Sequence, residues 1–161
     1  MKRNLKRVLL VICCCSTTML SFSQQTTENP VITKITKFKP PVVKSVLGIN
    51  SNGATVTIDE ANQLIALPLK ITDAQENAYK IDSYHFLYKK KGVVEDEQTG
   101  RKQMTFTTVS SLFDSTPLPK VWQENIQNGF QKDEEMYFFD IVVKDNSGRK
   151  FFAPDLKIRI Q

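Results

Sequence analysis

Thiols and imidazoles are nearly absent from this chain of 161 residues. Its only three cysteines stand together as Cys13, Cys14 and Cys15, and His85 is its only histidine. Zinc sites in proteins are built mainly from three or four cysteine and histidine ligands. Residues 16–161 can therefore form no disulfide and no such zinc site, and a fold there must be held together by its apolar core.

Sequence motifs of the common catalytic classes are also missing. There is no Gly-x-Ser-x-Gly turn, no Asp-Thr-Gly or Asp-Ser-Gly triplet, and no glycine-rich phosphate loop. We therefore predict no catalytic, cofactor-binding or metal-binding residues and no enzymatic activity. A hydrolase is kept as a third hypothesis, which requires two carboxylates that converge in a polar cleft.

The first 23 residues have the organisation of a secretory signal. Residues 2–7 carry four basic side chains, residues 8–20 are mainly apolar, and Ser21 and Ser23 are the small residues that precede a cleavage site. We predict a signal peptide over residues 1–23, cleavage before Gln24, and export to the periplasm or cell surface of a Gram-negative bacterium. Two alternatives keep the chain at a membrane: acylation of one of the three cysteines, or an uncleaved anchor.

The excess of positive charge also belongs to this predicted signal. The chain has a formal net charge of +5, but residues 1–23 hold four of its 22 basic residues and none of its 17 acidic ones. The remaining 18 basic and 17 acidic residues give residues 24–161 a net charge of +1. A nearly neutral domain has no electrostatic reason to bind nucleic acid, and we expect membrane contact only if a lipid anchor or the signal is retained.

Alternation of apolar and polar residues dominates the rest of the chain. Residues 24–41 are polar and end in two prolines, so we predict a flexible linker there, followed by one domain over residues 42–161. The predicted fold class is mainly β (α+β), an antiparallel β-sandwich-like domain with one short helix. Pro68 cannot donate to a ladder, which favours an edge position or a bulge for its strand. The predicted strands are 42–49, 54–58, 63–71, 79–90, 101–109, 136–144 and 150–160.

The single predicted helix lies between the fifth and sixth of these strands. Leu118, Trp122 and Ile126 recur every four residues and form an apolar stripe, and Asn128-Gly129 supplies a left-handed stop. Two prolines, at 117 and 119, are expected in the first turn. We expect Trp122 to be substantially buried beneath this helix.

The second half of the chain resembles a known family in the order and spacing of its elements. The shared pattern is a strand ending in glycine, a polar hairpin, a helix, an aromatic-rich strand, a turn ending in glycine and a final alternating strand. It resembles the C-terminal periplasmic domain of the gliding-motility and type IX secretion protein GldM, known as PorM in non-gliding relatives, over residues 79–161. The segments that carry the resemblance are 86–92, 118–129, 135–141 (Glu-Met-Tyr-Phe-Phe-Asp-Ile), 145–149 and 155–160.

The resemblance implies a shared domain type and a shared class of envelope partner. Proteins of that family also have an inner-membrane helical anchor and several periplasmic domains, whereas this chain has a predicted signal peptide and one predicted domain. The energy-transducing role of the family is therefore not implied. The start at Gln24 is similar to export signals of bacteria that carry the type IX system.

Two pairs of adjacent phenylalanines are the unusual feature of the strands: Phe138-Phe139 and Phe151-Phe152. Adjacent residues of a strand point to opposite faces, so each pair places an aromatic ring on both faces of its sheet. We expect both faces to be buried, by the second sheet and by the helix. In the alternative, one ring of a pair is exposed, and all four phenylalanines are therefore candidate partner contacts.

The remaining polar groups are predicted to be structural. His85 lies in an aromatic-rich strand and is expected to pack there or to hydrogen-bond. The acidic clusters at 95–97 and 133–135 lack the alternate spacing and the glycine bend of a calcium loop, so we expect them to be solvated. The turn at 145–148 is expected to place Gly148 in the left-handed conformation.

Together these features predict a non-catalytic, exported protein-interaction module of the cell envelope, accessory to type IX secretion or gliding machinery. Its expected partner is another envelope protein or a second copy of the chain, and no cofactor is expected. The alternative is a secreted β-sandwich that binds a glycan or another small ligand, which exposed aromatic platforms and a concave sheet would favour.

Overall fold

The computed structural model describes residues 37–161, and residues 38–161 form one compact unit. The predicted signal peptide, the three cysteines and residues 24–36 of the predicted linker lie outside the described residues. The last linker residues are in contact with the domain, because the ring of Phe38 lies 6.3 Å from that of Phe151 and the guanidinium of Arg149 lies 4.2 Å from the Phe38 ring centre.

Eight strands and two short helices make up the described chain, and the predicted mainly β class is confirmed. Neither helix is long and apolar enough to cross a membrane. In chain order the elements are β1 (Val43–Leu47), β2 (Ala54–Val56), α1 (Ile58–Leu64), β3 (Leu69–Asp73), β4 (Ala78–Glu95), β5 (Lys102–Phe113), α2 (Lys120–Ile126), β6 (Glu135–Lys144), β7 (Lys150–Phe152) and β8 (Leu156–Ile160).

The strands form one curled, mixed sheet with the order β1-β3-β4-β6-β8-β2, in which β5 also pairs with β4 and β7 also pairs with β6. All neighbours are antiparallel except β2 and β8, which are parallel. The Ser45 hydroxyl on β1 donates to the carbonyl of Pro154, between β7 and β8. This contact joins β1 to the connection between β7 and β8, and the buried side chains form a single cluster.

The core is built by the alternation that the sequence predicts. Leu156, Ile158 and Ile160 of β8 are fully buried, whereas Lys157 and Arg159 point outward. Burying a large apolar side chain stabilises a fold by about 1.5–3 kcal/mol, so these rows supply much of the stability of a domain without disulfides. The central strands β4 and β6 contribute the buried side chains of Tyr84, Phe86, Tyr88, Met136, Phe138, Ile141 and Val143.

The structure corrects the prediction around Pro68. Residues 58–64, which span the end of one predicted strand, the connection and the start of the next, form a helix instead. Thr57 and Glu60 begin it with a capping box in which each side chain bonds the backbone N–H of the other. Pro68 precedes β3, and β3 pairs with both β1 and β4. The prediction that this strand is a sheet edge is therefore wrong.

The single predicted helix exists as α2, and its apolar stripe faces the core. Leu118 and Ile126 are buried, whereas Trp122 is half-buried with its ring edge-on to Phe86 and Phe113 at 5.9 and 5.4 Å. The helix is shorter than predicted, since both prolines precede it and Pro119 is its N-cap. Asn128 takes the left-handed conformation after it, with φ of 65°.

Candidate functional site

The face of the sheet that points away from the core carries a row of rings. The strand register places Leu112 of β5, His85 of β4 and Phe139 of β6 side by side. Ser83, Val142 and Phe152 form the adjacent row on the same face. We define the outer patch as the large side chains of this surface: His85, Leu112, Tyr137, Phe139, Val142 and Phe152.

Three rings of the outer patch are stacked. The His85 ring lies 5.1 Å from that of Phe139 at 19° between planes, and Phe139 lies 5.0 Å from Tyr137 at 15°. The Tyr137 hydroxyl donates to Asp155 Oδ2 at 2.5 Å, and this bond, with burial, raises the pKa of the phenol. Rings held in this way lose little conformational freedom when another molecule packs on them.

His85 lies at the centre of the outer patch, as a packed sheet histidine. Its Nδ1 is 3.7 Å from Asp140 Oδ2, which is an ion-pair distance if the ring is protonated and too long for a hydrogen bond. Asp140 has φ of 49°, an irregularity in β6 where the register against β4 also shifts. Among residues 37–161, Nδ1 is buried and has no hydrogen-bond partner.

The four candidate phenylalanines are divided between the two faces of the sheet. Phe138 and Phe151 belong to the core, Phe139 is half-buried in the ring stack, and Phe152 is 71% exposed. The expectation that both faces are buried is therefore wrong at Phe152. The physical reason is that α2 packs against Phe86 on the inner face, which leaves the outer face of β7 open within the described chain.

A two-stranded arm extends beyond the end of β6. The pairing of β4 with β6 stops at Lys89, opposite Glu135, whereas β4 and β5 remain paired as far as Glu95 and Lys102. We call residues 90–107 the arm. Four of its apolar side chains are exposed, by 42–67%: Val93, Val94, Met104 and Phe106.

The arm is longer than the sequence predicts. The predicted strands 79–90 and 101–109 leave residues 91–100 as a polar loop, but β4 continues as far as Glu95 and the turn begins at Asp96. The Asp96 carboxylate accepts the backbone N–H groups of Gln98 and Thr99, both at 2.9 Å. These bonds lower the pKa of Asp96 and close the tip of the hairpin.

A buried carboxylate holds the base of the arm. Glu134 is completely buried, and it accepts hydrogen bonds from the Tyr88 hydroxyl and from the backbone N–H groups of Lys91 and Gln131, the latter two at 2.8 Å. Burial, followed by this carboxylate, raises the pKa of Tyr88. The prediction of a solvated acidic cluster is wrong at this position.

Glu135 is also buried, but within a cluster of cations. Its carboxylate lies 3.1 Å from Lys157 Nζ, 3.2 Å from Arg159 Nη2 and 3.9 Å from Lys89 Nζ. Burial alone would raise the pKa of Glu135, but the three cations outweigh it and hold the pKa below its usual 4.5. Of the two predicted acidic clusters, only Asp133 and residues 95–97 are exposed to solvent as expected.

A groove of about 490 Å³ lies on the opposite, inner side of the β4–β5 ribbon. Tyr88 and Val109 form its sheet wall, and Trp122 and Ile126 of α2 form its helical wall. It has the apolar lining and the few polar groups of a small-ligand site, although it is open to solvent.

Sequence reasoning locates part of the outer patch and misses the rest. The phenylalanine pairs indicate Phe139 and Phe152, but they do not indicate Leu112 or Tyr137. Both join the patch through cross-strand register, which single-strand alternation does not specify. The alternation of side chains along β5 does indicate one of them, because it places Met104, Phe106 and Leu112 on the same, outward face.

Within residues 37–161 no three histidine or carboxylate side chains converge as metal ligands would. No family model matches the chain, and no curated protein matches it.

Proposed function

We propose that the chain is a non-catalytic, exported protein-interaction module of the cell envelope, and that it binds its partner through the outer patch. The observation that carries the proposal is the rigid aromatic surface formed by the His85–Phe139–Tyr137 stack beside an exposed Phe152. Binding surfaces of proteins are enriched in aromatic residues, and their strongest contacts cluster in the centre.

The cellular setting in the proposal depends on sequence features. Residues 1–23 have the organisation of a signal peptide, and residues 79–161 resemble the C-terminal domain of GldM and PorM. We infer on this basis that the partner belongs to the type IX secretion or gliding machinery, or to another large envelope assembly. A domain of formal charge +1 outside the predicted signal would associate by shape and apolar contact more than by long-range attraction.

The proposal is tested by affinity capture from the native envelope followed by mass spectrometry. Phe152→Asp places a charge in the exposed part of the patch and should remove the specific partner, while the melting temperature stays close to that of the unsubstituted protein. Val121→Asp is the matched control, because Val121 is 60% exposed on α2 and away from the patch. Capture of the same proteins by both variants would contradict the proposal.

A second candidate function is favoured by the groove between Trp122 and Val109. A glycan or another small ligand that packs against the exposed edge of the indole would quench or shift its fluorescence. Titration with an oligosaccharide series tests this alternative, since Trp122 is the only tryptophan of the chain. A saturable change in a protein that captures no partner would replace the interaction module by a ligand-binding domain.

A further inference from the structure

The longest free edge of the described sheet belongs to β5. Along its full length of 12 residues β5 pairs with β4 alone, so the N–H and C=O groups on its other side have no strand partner among residues 37–161. The other terminal strands β1, β2 and β7 have five, three and three residues. A long free edge is a template for the addition of another strand.

This edge carries none of the usual features that prevent pairing. Residues 103–113 contain no charged residue and no proline, and the register from Tyr84–Phe113 to Glu95–Lys102 is continuous, without a bulge. Natural sheets block their edges with lysine, proline, bulges or a covering segment. The absence of all of these from residues 103–113 indicates that a strand covers this part of β5.

We propose that the covering strand is β5 of a second copy, paired antiparallel about a twofold axis at Thr108. In this register two residues lie opposite each other when their residue numbers add up to 216. Lys102 then lies opposite Asp114 of the second copy, and Met104 lies opposite its Leu112. The two charged residues that bound the neutral edge are thus of opposite sign and equally distant from Thr108.

Charge complementarity selects this register among its neighbours. Twofold pairing through an axis perpendicular to the sheet must centre on a residue, so the adjacent choices are Thr107 and Val109. Either of them leaves Lys102 with no acidic residue opposite it in the second copy, and only with Glu95 of its own β4, whose Oε2 lies 3.8 Å from Lys102 Nζ. Opposite charges placed directly across two strands are favourable, and like charges are unfavourable.

The arm gives an independent reason for the same pairing. A two-stranded ribbon in water is marginally stable, and it gains stability from a third strand. In the proposed dimer the arm of each copy lies beside the base of β5 in the other. Met104, which is 67% exposed, then contacts Leu112 of the second copy on the outer face. Leu112 belongs to both surfaces. Self-association is nevertheless tested along the edge of β5 and the envelope partner at Phe152 on β7, so either proposal can fail without the other.

The sharpest test is disulfide cross-linking of the exported protein. Residues 16–161 contain no cysteine, so a single new thiol reports on its own position. Only the residue on the axis lies opposite itself, at a Cα separation of about 4.5–5.5 Å that a disulfide spans. Thr108→Cys should therefore form a covalent dimer on oxidation, while Thr105→Cys, opposite Ser111 of the second copy, and the unsubstituted protein should not.

Charge reversal tests the register in solution by sedimentation equilibrium. Lys102→Asp and Asp114→Lys should each weaken dimerisation by roughly tenfold, because each brings like charges together twice per dimer, and the double variant should restore it. Thr108→Lys should abolish the dimer, while Thr55→Lys on the short edge strand β2 should not. A monomer at all concentrations would overturn the proposal, and so would covalent dimers of the Thr105→Cys variant but not of the Thr108→Cys variant.

Discussion

Removing the Glu134 carboxylate should loosen the base of the arm and destabilise the whole domain. Glu134 is completely buried and accepts three hydrogen bonds, from the Tyr88 hydroxyl and from two backbone N–H groups. In Glu134→Ala all three donors lose their acceptor. A buried donor left without a partner costs about 1–3 kcal/mol, and some of the three will find water, so we expect a total loss of about 3–5 kcal/mol.

Two variants divide this effect into its parts. Glu134→Gln keeps the shape and one acceptor oxygen but turns an NH₂ group toward a donor, so we expect a smaller loss of about 1–3 kcal/mol. Tyr88→Phe removes a donor and leaves the carboxylate with its two backbone bonds, and it should cost about 1–2 kcal/mol. The exposed Glu124 of α2 is the matched control, and Glu124→Ala should change stability by less than about 0.5 kcal/mol.

Urea unfolding followed by circular dichroism gives the free energies, and amide hydrogen exchange shows where the loss occurs. The N–H of Lys91, which donates to Glu134, should exchange much faster in Glu134→Ala. An unfolding free energy within about 1 kcal/mol of the unsubstituted protein, with Lys91 still protected, would refute this account of the buried carboxylate.

Three further outcomes are expected. Trp122→Ala should lower the free energy of unfolding in urea by about 2–4 kcal/mol. This is less than for a fully buried tryptophan, because the ring is half-buried against Phe86 and Phe113. An unchanged unfolding midpoint would show that these contacts contribute nothing. The stability that Glu135 adds is fully present above about pH 4.5 and is lost as pH falls through its lowered pKa. In Glu135→Gln the free energy of unfolding should therefore fall less steeply as the pH is lowered through this range. An equal slope in both proteins would contradict this. Deleting residues 24–36 should leave both the melting temperature and partner capture unchanged, since the contacts of Phe38 are kept; loss of capture would place the binding segment in the linker.

The strands of the second half could be predicted where one face of the strand is buried, as in β6 and β8. In β8 the alternation of Ile158 and Ile160 with Lys157 and Arg159 leaves one choice of face, and the pairing of β4 with β5 follows from their closeness in the chain. The strand pattern does not predict α1, because Ala54, Val56 and Ile58 alternate as the residues of a strand do. The spacing of Thr57 and Glu60 matches a capping box, and this motif predicts that a helix begins after Thr57.

The buried acids could not be predicted, because their partners are distant in the sequence. Glu134 bonds Tyr88, 46 positions away, and Glu135 is neutralised by cations of β4 and β8. A charged triplet such as 133–135 gives no sign of such partners, and solvation is its usual state. The outer patch is similar, since His85 and Phe139 become neighbours only through a register that contains shifts.

Photo-cross-linking at position 152 in the living cell tests the central claim most directly. A benzoylphenylalanine in place of Phe152 keeps an aromatic ring at the exposed edge of the outer patch, and the same residue at position 121 is the control. The interaction module predicts a discrete cross-linked product with one envelope protein from position 152 and none from position 121. Equal, diffuse or absent products from the two positions would contradict it.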